Sequence, residues 1–440
     1  MSNPLQGGKL GILVGGGPAP GINGVIASVT IDAINHGMEV IGFINGFRHL
    51  VEGSTTRNMR LTVEEVVPHY LRGGSILGTA RTNPAKKEED MKRVLEVFKK
   101  LGLTALVTIG GDDTAFSASQ VDKHIGPSSL GESGTQSILR ICHVPKTIDN
   151  DLPLPEGTPT FGFETARHLG VLTTRALHVD AKTTGRWYII VSMGRAAGHL
   201  ALGIGKASAS TITLIPEEFR DTPITVENVT DIIIGSILKR KAMGKDHGVA
   251  VLAEGLIEAI GEKGLLLALG EQELARYGRL ERDEHNHLRL GEIEFGRLIK
   301  DYLRNKLKEL GLKVDFIDKD LGYELRSADP IPFDAEYTRD LGYGAVKFLA
   351  SNAATQFGAI ISFVDGHMIP LPFESMIDPK TSRMRPRKVN VDSESFQCAR
   401  RYMIRLEMSD MQGEKLNSLA KLTNLTPDQF KERFSKVAKI

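Results

Sequence analysis

Two short segments concentrate the side chains able to do chemistry: Gly110-Gly111-Asp112-Asp113-Thr114 and Lys146-Thr147-Ile148-Asp149-Asn150-Asp151. Each follows an apolar run rich in β-branched residues, Ala105 to Ile109 and Ile138 to Val144, and so reads as the loop leaving a strand. Four carboxylates, one lysine and a glycine pair would then meet at strand ends, where open parallel sheets bind ligands. Asp149 is placed to take a proton from an attacking hydroxyl, with Thr147 holding a phosphate oxygen and Asp151 orienting the group. Lys146 sets a compact cation where phosphoryl charge would shift during transfer. Asp112 suits a Mg2+ ion shared with phosphate oxygens and water. Asp113 would exclude a further phosphate group, since two unit charges about 4 Å apart interact by roughly 4 kcal/mol at an effective dielectric near 20. The plain alternative is an Asx-turn loop in which the aspartates satisfy backbone amides and Lys146 is a solvated ion-pair partner.

A glycine run, Gly15-Gly16-Gly17-Pro18-Ala19-Pro20-Gly21, sits between the first strand and the first helix. It matches neither G-x-G-x-x-G nor G-x-x-x-x-G-K-[ST], and it reads equally as an anion cradle or as a tight turn. Arg81, Arg186, Met193-Gly194-Arg195, Glu254 and Tyr323-Glu324-Leu325-Arg326 are scattered. Arginine suits bidentate phosphate recognition, and Glu254, just past a strand, is placed to accept from sugar hydroxyls. Taken singly, each reads as a surface ion-pair partner.

The elements that must position these groups alternate. Strands are expected at Leu10 to Val14, Glu39 to Ile44, Thr104 to Ile109, Arg186 to Ser192, Thr211 to Ile215, Gly248 to Leu252 and Phe357 to Phe363. Helices are expected at Gly21 to His36, Glu88 to Lys100, Glu164 to Val179, Ala196 to Ala207, Val226 to Lys239, Ile293 to Leu310 and Thr338 to Ser351. A capping box at Thr426-Pro427-Asp428-Gln429 opens a terminal helix from Pro427 to Lys439. Gly126 to Thr135 and Arg279 to Arg289 read as peripheral polar stretches. Alternating strands and helices imply parallel sheets wrapped by helices.

At 440 residues the chain is too long for one ordinary core, so two domains are expected. A net charge of +1 argues against a general nucleic-acid or membrane-surface role. Two cysteines build neither a disulfide framework nor a zinc cluster, and no apolar run reaches the length of a bilayer. The opening Met1 to Gln6 lacks the apolar core of a signal peptide, so a cytoplasmic protein is expected.

In this order and spacing, the GGD at 110–112, TIDND at 147–151, MGR at 193–195 and the segment ending at Arg326 resemble the phosphofructokinase family, from Gly11 to about Pro372. The resemblance implies Mg2+-dependent phosphoryl transfer to the 1-hydroxyl of fructose 6-phosphate. It further implies Asp149 as the base, Asp112 on the metal, and Gly16, Gly17, Arg81 and Thr114 at the donor phosphates. Thr147, Ile148, Asp149, Met193, Gly194, Arg195, Glu254, Tyr323 and Arg326 would hold the sugar phosphate, with Arg186 reaching in from a neighbouring subunit of a homodimer or homotetramer. Asp113 and Lys146 stand where ATP-using members typically carry glycine, which resembles the pyrophosphate-dependent branch and gives both residues a catalytic role in donor choice.

The implied architecture is α/β: two Rossmann-like three-layer domains with mostly parallel sheets and an active-site cleft between them. Residues 1–162 with 325–378 would hold donor and metal. Residues 163–324 with 379–440, including a C-terminal helical tail, would hold fructose 6-phosphate. An ATP-dependent enzyme that tolerates Asp113 and a non-catalytic sugar-phosphate-binding subunit are the alternatives. Departures from the short bacterial enzymes, Tyr323 in place of histidine among them, weaken any carry-over of a nucleotide effector site.

Overall fold

A computed structural model describes residues 4–126, 139–220, 222–282 and 288–440. The polar stretch expected from Gly126 to Thr135 therefore lies outside the described residues apart from Gly126, as does the centre of the 279–289 stretch. The chain divides into two compact units, Met1–Ala166 with Tyr323–Arg387 and Arg167–Gly322 with Lys388–Ile440.

In the first unit the strands are β1 (Lys9–Val14), β2 (Glu39–Phe43), β3 (Asn58–Arg60), β4 (Ala105–Gly110) and β5 (Arg140–Pro145). The second unit supplies β6 (Trp187–Ser192), β7 (Ile212–Leu214), β8 (Gly248–Ala253) and β9 (Phe316–Leu321). The chain then returns to the first unit with β10 (Ala359–Val364) and β11 (His367–Pro372).

The first sheet runs β11-β10-β5-β4-β1-β2-β3. Its five inner strands are parallel, and the two edge strands are antiparallel. Every residue of β4 is buried, the continuous apolar reading expected of a strand covered on both faces. Helices Ile22–Asn35 and Pro332–Leu349 share one core with the sheet. Helix Glu88–Leu101 and the helix beginning at Asp112 share the other, so the unit has three layers.

The second sheet, β7-β8-β6-β9, is wholly parallel. One core gathers helices Val226–Ala242 and Phe295–Glu309 with the C-terminal helices Gly413–Ala420 and Pro427–Phe434. Phe430 and Phe434 are fully buried, and Arg405 lies buried against Glu218, so the tail is part of this unit's interior.

Four expectations change, the first being the terminal helix, which ends at Phe434 and is followed by a separate short turn at Val437–Lys439. Gly110 to Thr114 is not a loop throughout: after Gly111 the chain enters a helix, Asp112–Ile125, that periodicity did not reveal. Both aspartates stand in its first turn, where the helix dipole favours negative charge. Strand β9 escaped detection because only Phe316 and Leu321 of its six residues are buried. The helix expected from Thr338 begins at Pro332, whose fixed φ suits the first helical position. Among the described residues no helix is long and apolar enough to cross a membrane.

Candidate active site

The first unit assembles its functional groups at the carboxyl ends of β1, β4 and β5. The amide of Gly15 donates to the Ile109 carbonyl at 2.8 Å, that of Gly16 to the Ala80 carbonyl at 2.9 Å, and that of Lys146 to the Gly110 carbonyl at 2.8 Å. These bonds bring the glycine run, the GGD turn and the Lys146 loop side by side. Gly16 has φ +82, a left-handed conformation that only glycine adopts without strain. A Cβ on Gly15 would stand 2.3 Å from the Thr114 hydroxyl, and one on Gly110 would stand 2.3 Å from Thr114 Cβ. Thr114 thus packs its buried side chain between the two glycines and seats the helix on the strand ends.

Lys146 is not a solvated ion-pair partner. It is 3 % exposed, and its ammonium donates to the Gly17 carbonyl. Burial first, then the Arg326 guanidinium and Arg81, pull its pKa down to about 8, against the opposing pull of Asp149 and Asp112. Arg326 comes to the same spot, since a Cβ on Gly17 would lie 3.5 Å from its guanidinium. The exposed Tyr323 ring lies under that guanidinium at 5.2 Å. A buried cation flanked by two more has an obvious complement, a small and highly charged anion.

Beside these cations lie the acids. The Thr147 hydroxyl accepts from the Asp149 amide at 3.0 Å, and its carbonyl accepts from the Thr160 hydroxyl at 2.7 Å. Ile148, between Thr147 and Asp149, is buried. Burial first, and then the Asp112 carboxylate, raise the Asp151 carboxyl to about 6, against the opposing pull of Thr147 and Arg387. Asp112 and Asp113 are exposed. No three His, Cys, Asp or Glu side chains among the described residues form a metal cage. Asp112 near a second carboxylate fits a hard ion completed by phosphate and water instead.

Two residues that the sequence reading passed over support this loop. His143 is fully buried, with Nε2 bonded to the Gly110 carbonyl at 2.9 Å and Nδ1 to the Thr108 hydroxyl at 2.8 Å. Burial drives its pKa down to about 3, so it is neutral, with the proton on Nε2. Arg387 donates to carbonyls around the loop. A polar residue inside the apolar strand Ile141-Cys142-His143-Val144 was a usable signal for the first; the second sits in a basic run that carried none.

In the second unit, Met193, Gly194 and Arg195 leave the end of β6 while Glu254 and Gly255 leave the end of β8. The Gly194 amide donates to Glu254 Oε2 at 3.1 Å and the Glu254 amide to the Ser192 carbonyl at 2.9 Å. Gly194 has φ +127, and a Cβ on Gly255 would lie 2.6 Å from the Arg195 carbonyl, so the two turns interlock. Arg195 is exposed. Arg186 stands apart, at the opposite end of β6, and the whole strand separates it from Met193, about 23 Å at roughly 3.3 Å per residue. It does not join the cluster of its own unit.

The chain matches the family described as Phosphofructokinase over residues 9–349. It belongs to the phosphofructokinase family. Among its phosphofructokinase relatives is the pyrophosphate–fructose 6-phosphate 1-phosphotransferase of Thermotoga maritima, 51% identical over 429 residues, 97% of this chain and 98% of that one. The protein of the same name from Naegleria fowleri is 47% identical, covering 97% of this chain and 94% of its own. Among solved structures, a pyrophosphate-dependent phosphofructokinase from Marinobacter aquaeolei shares the fold with a TM-score of 0.63 at 18% identity, covering 90% of each chain.

Proposed function

We propose that this phosphofructokinase transfers a phosphoryl group reversibly from pyrophosphate to the 1-hydroxyl of fructose 6-phosphate, releasing orthophosphate. The observation that carries the donor reading is the buried Lys146 ammonium on the Gly17 carbonyl, faced by Arg326 and Arg81. The names of the full-length relatives support the same reading.

Asp149 receives the proton of the 1-hydroxyl as that oxygen bonds to phosphorus. The bond to the bridging oxygen breaks, and its electron pair leaves with orthophosphate, whose charge Lys146 meets. Gly16 and Gly17 let the donor approach the backbone closely, and Arg81 and Arg326 add charge around it. Asp113 guards against a longer donor such as ATP by repulsion. Asp112 would hold Mg2+ with donor oxygens and water; the ion supplies neutralisation of the phosphate charge. Thr147, Met193, Gly194, Arg195, Glu254, Tyr323 and Arg326 bind the sugar phosphate.

The active form is a homo-oligomer, dimer or tetramer. Helix Phe163–Thr184 exposes Leu172 and Val179, seven residues apart on one stripe, as a second copy would cover. Arg186 follows that helix, and by reaching across such an interface it serves a neighbour's site. Two free cysteines suit a reducing, cytoplasmic setting.

The test is product formation from fructose 6-phosphate and Mg2+, with pyrophosphate in one assay and ATP in another. Turnover with pyrophosphate alone is the expected result. Turnover with ATP alone overturns the donor reading, and silence in both returns the binding-subunit alternative.

A further inference from the structure

Arg387 closes the first unit of the chain, and its guanidinium donates to several main-chain oxygens and one side-chain oxygen of a single loop. Nε and Nη2 reach the Asn150 carbonyl at 3.2 and 3.1 Å, and Nη2 also meets the Asn150 side-chain oxygen. Nη1 reaches the Thr158 carbonyl at 2.7 Å, with Pro155 and Leu154 carbonyls at 3.3 and 3.4 Å. The Arg387 amide donates to the Asp151 carbonyl at 2.7 Å. One residue thus ties both ends of the segment from 150 to 158 together.

The tie falls at a strained point. Asn150 has φ 55, a left-handed conformation sparsely populated outside glycine. Its side-chain oxygen also accepts from the Thr160 amide at 3.0 Å. Asparagine tolerates this conformation better than other residues with a side chain, and the bonds from Arg387 and Thr160 hold it there. Asp149 immediately precedes it, so the direction of the Asp149 carboxylate depends on the backbone that Arg387 grips.

We infer that Arg387 is a positioning residue for phosphoryl transfer, which holds the Asn150–Thr158 backbone so that Asp149 faces the acceptor hydroxyl. This rests on Asp149 being the base. A planar fork with five donors meets several carbonyls at once; a lysine, with one compact ammonium, does not. A misplacement of about 1 Å at a reacting group costs on the order of 10²-fold in rate.

The experiment compares Arg387→Lys, Arg387→Ala and Asn150→Gly in the full chain with pyrophosphate, fructose 6-phosphate and Mg2+. Arg387→Lys should lose about 10²-fold in kcat with both KM values within about threefold and an unchanged melting temperature. Methylguanidinium, but not methylammonium, should restore part of the Arg387→Ala loss. Should the Arg387 variants fail to fold, Asn150→Gly, which tolerates the backbone conformation but lacks the side-chain acceptor, should still lose about tenfold in kcat alone. Wild-type kcat in Arg387→Lys, or in Asn150→Gly when that variant alone folds, overturns the positioning role and leaves the proposed reaction standing, as does a loss confined to KM. No wild-type turnover overturns both.

Discussion

Asp149 offers the most direct test of the chemistry. Asn in its place keeps size and removes the base, so kcat should fall about 10²- to 10⁴-fold while equilibrium binding of fructose 6-phosphate stays within a few-fold; turnover near wild type would remove Asp149 from the mechanism. Lys146 carries a pH signature. Its pKa is lowered from 10.5 to about 8 by burial and Arg326. Between those values the folded chain has released a proton that the unfolded chain keeps, so stability should rise with pH across that window. A polyanion restores the charged form, so above pH 8 pyrophosphate binding should take up a proton and weaken as pH rises. Calorimetry in two buffers of different ionisation enthalpy measures that uptake, and Lys146→Met should remove it. Asp113→Gly removes a charge from the first turn of its helix and should improve ATP binding at least severalfold in a direct titration; unchanged ATP affinity would show that Asp113 does not select the donor.

At the scale of elements, the contact between Thr114 and the glycines that end β1 and β4 decides where the Asp112 helix sits. Gly15→Ala places a Cβ 2.3 Å from the Thr114 hydroxyl and should cost about 1–3 kcal/mol in denaturant unfolding. Thr114→Ala should recover most of that loss in the double variant, because the nearest remaining atom is Thr114 Cβ at 3.2 Å. Additive losses would mean that the two residues do not press on each other. Most of the strands and helices were legible as apolar runs and 3.6-residue periods. The Asp112 helix was not: Asp, Ser and Thr in its first two turns read as turn chemistry, and the helix they form is packed on β4 and β5, which the local sequence does not show.

For the whole molecule, the separation of Arg186 from the Met193 end of its own strand makes a prediction about assembly. Arg186→Ala and Asp149→Asn should each be nearly inactive alone. Mixed by co-refolding they should regain a measurable fraction of wild-type turnover, because some sites then combine a sound base with a neighbour's sound arginine. No recovery in verified mixed oligomers would place Arg186 outside the site. Leu172→Glu with Val179→Glu should lower the molecular mass seen by light scattering and reduce activity with it.

The amino-acid order alone determined the alternating α/β plan, the family resemblance and the candidate acids, because period, turn residues and short motifs are local properties of the chain. Folding decided the rest. Lys146 became a buried cation with a lowered pKa only when Gly17, Arg326 and Arg81, far from it in sequence, came to its side. Arg387, 236 to 238 residues beyond the base loop (387 less 151 and 149), acquired its role in the same way. Burial and charge depend on which distant segments meet, and no local window of sequence contains that information.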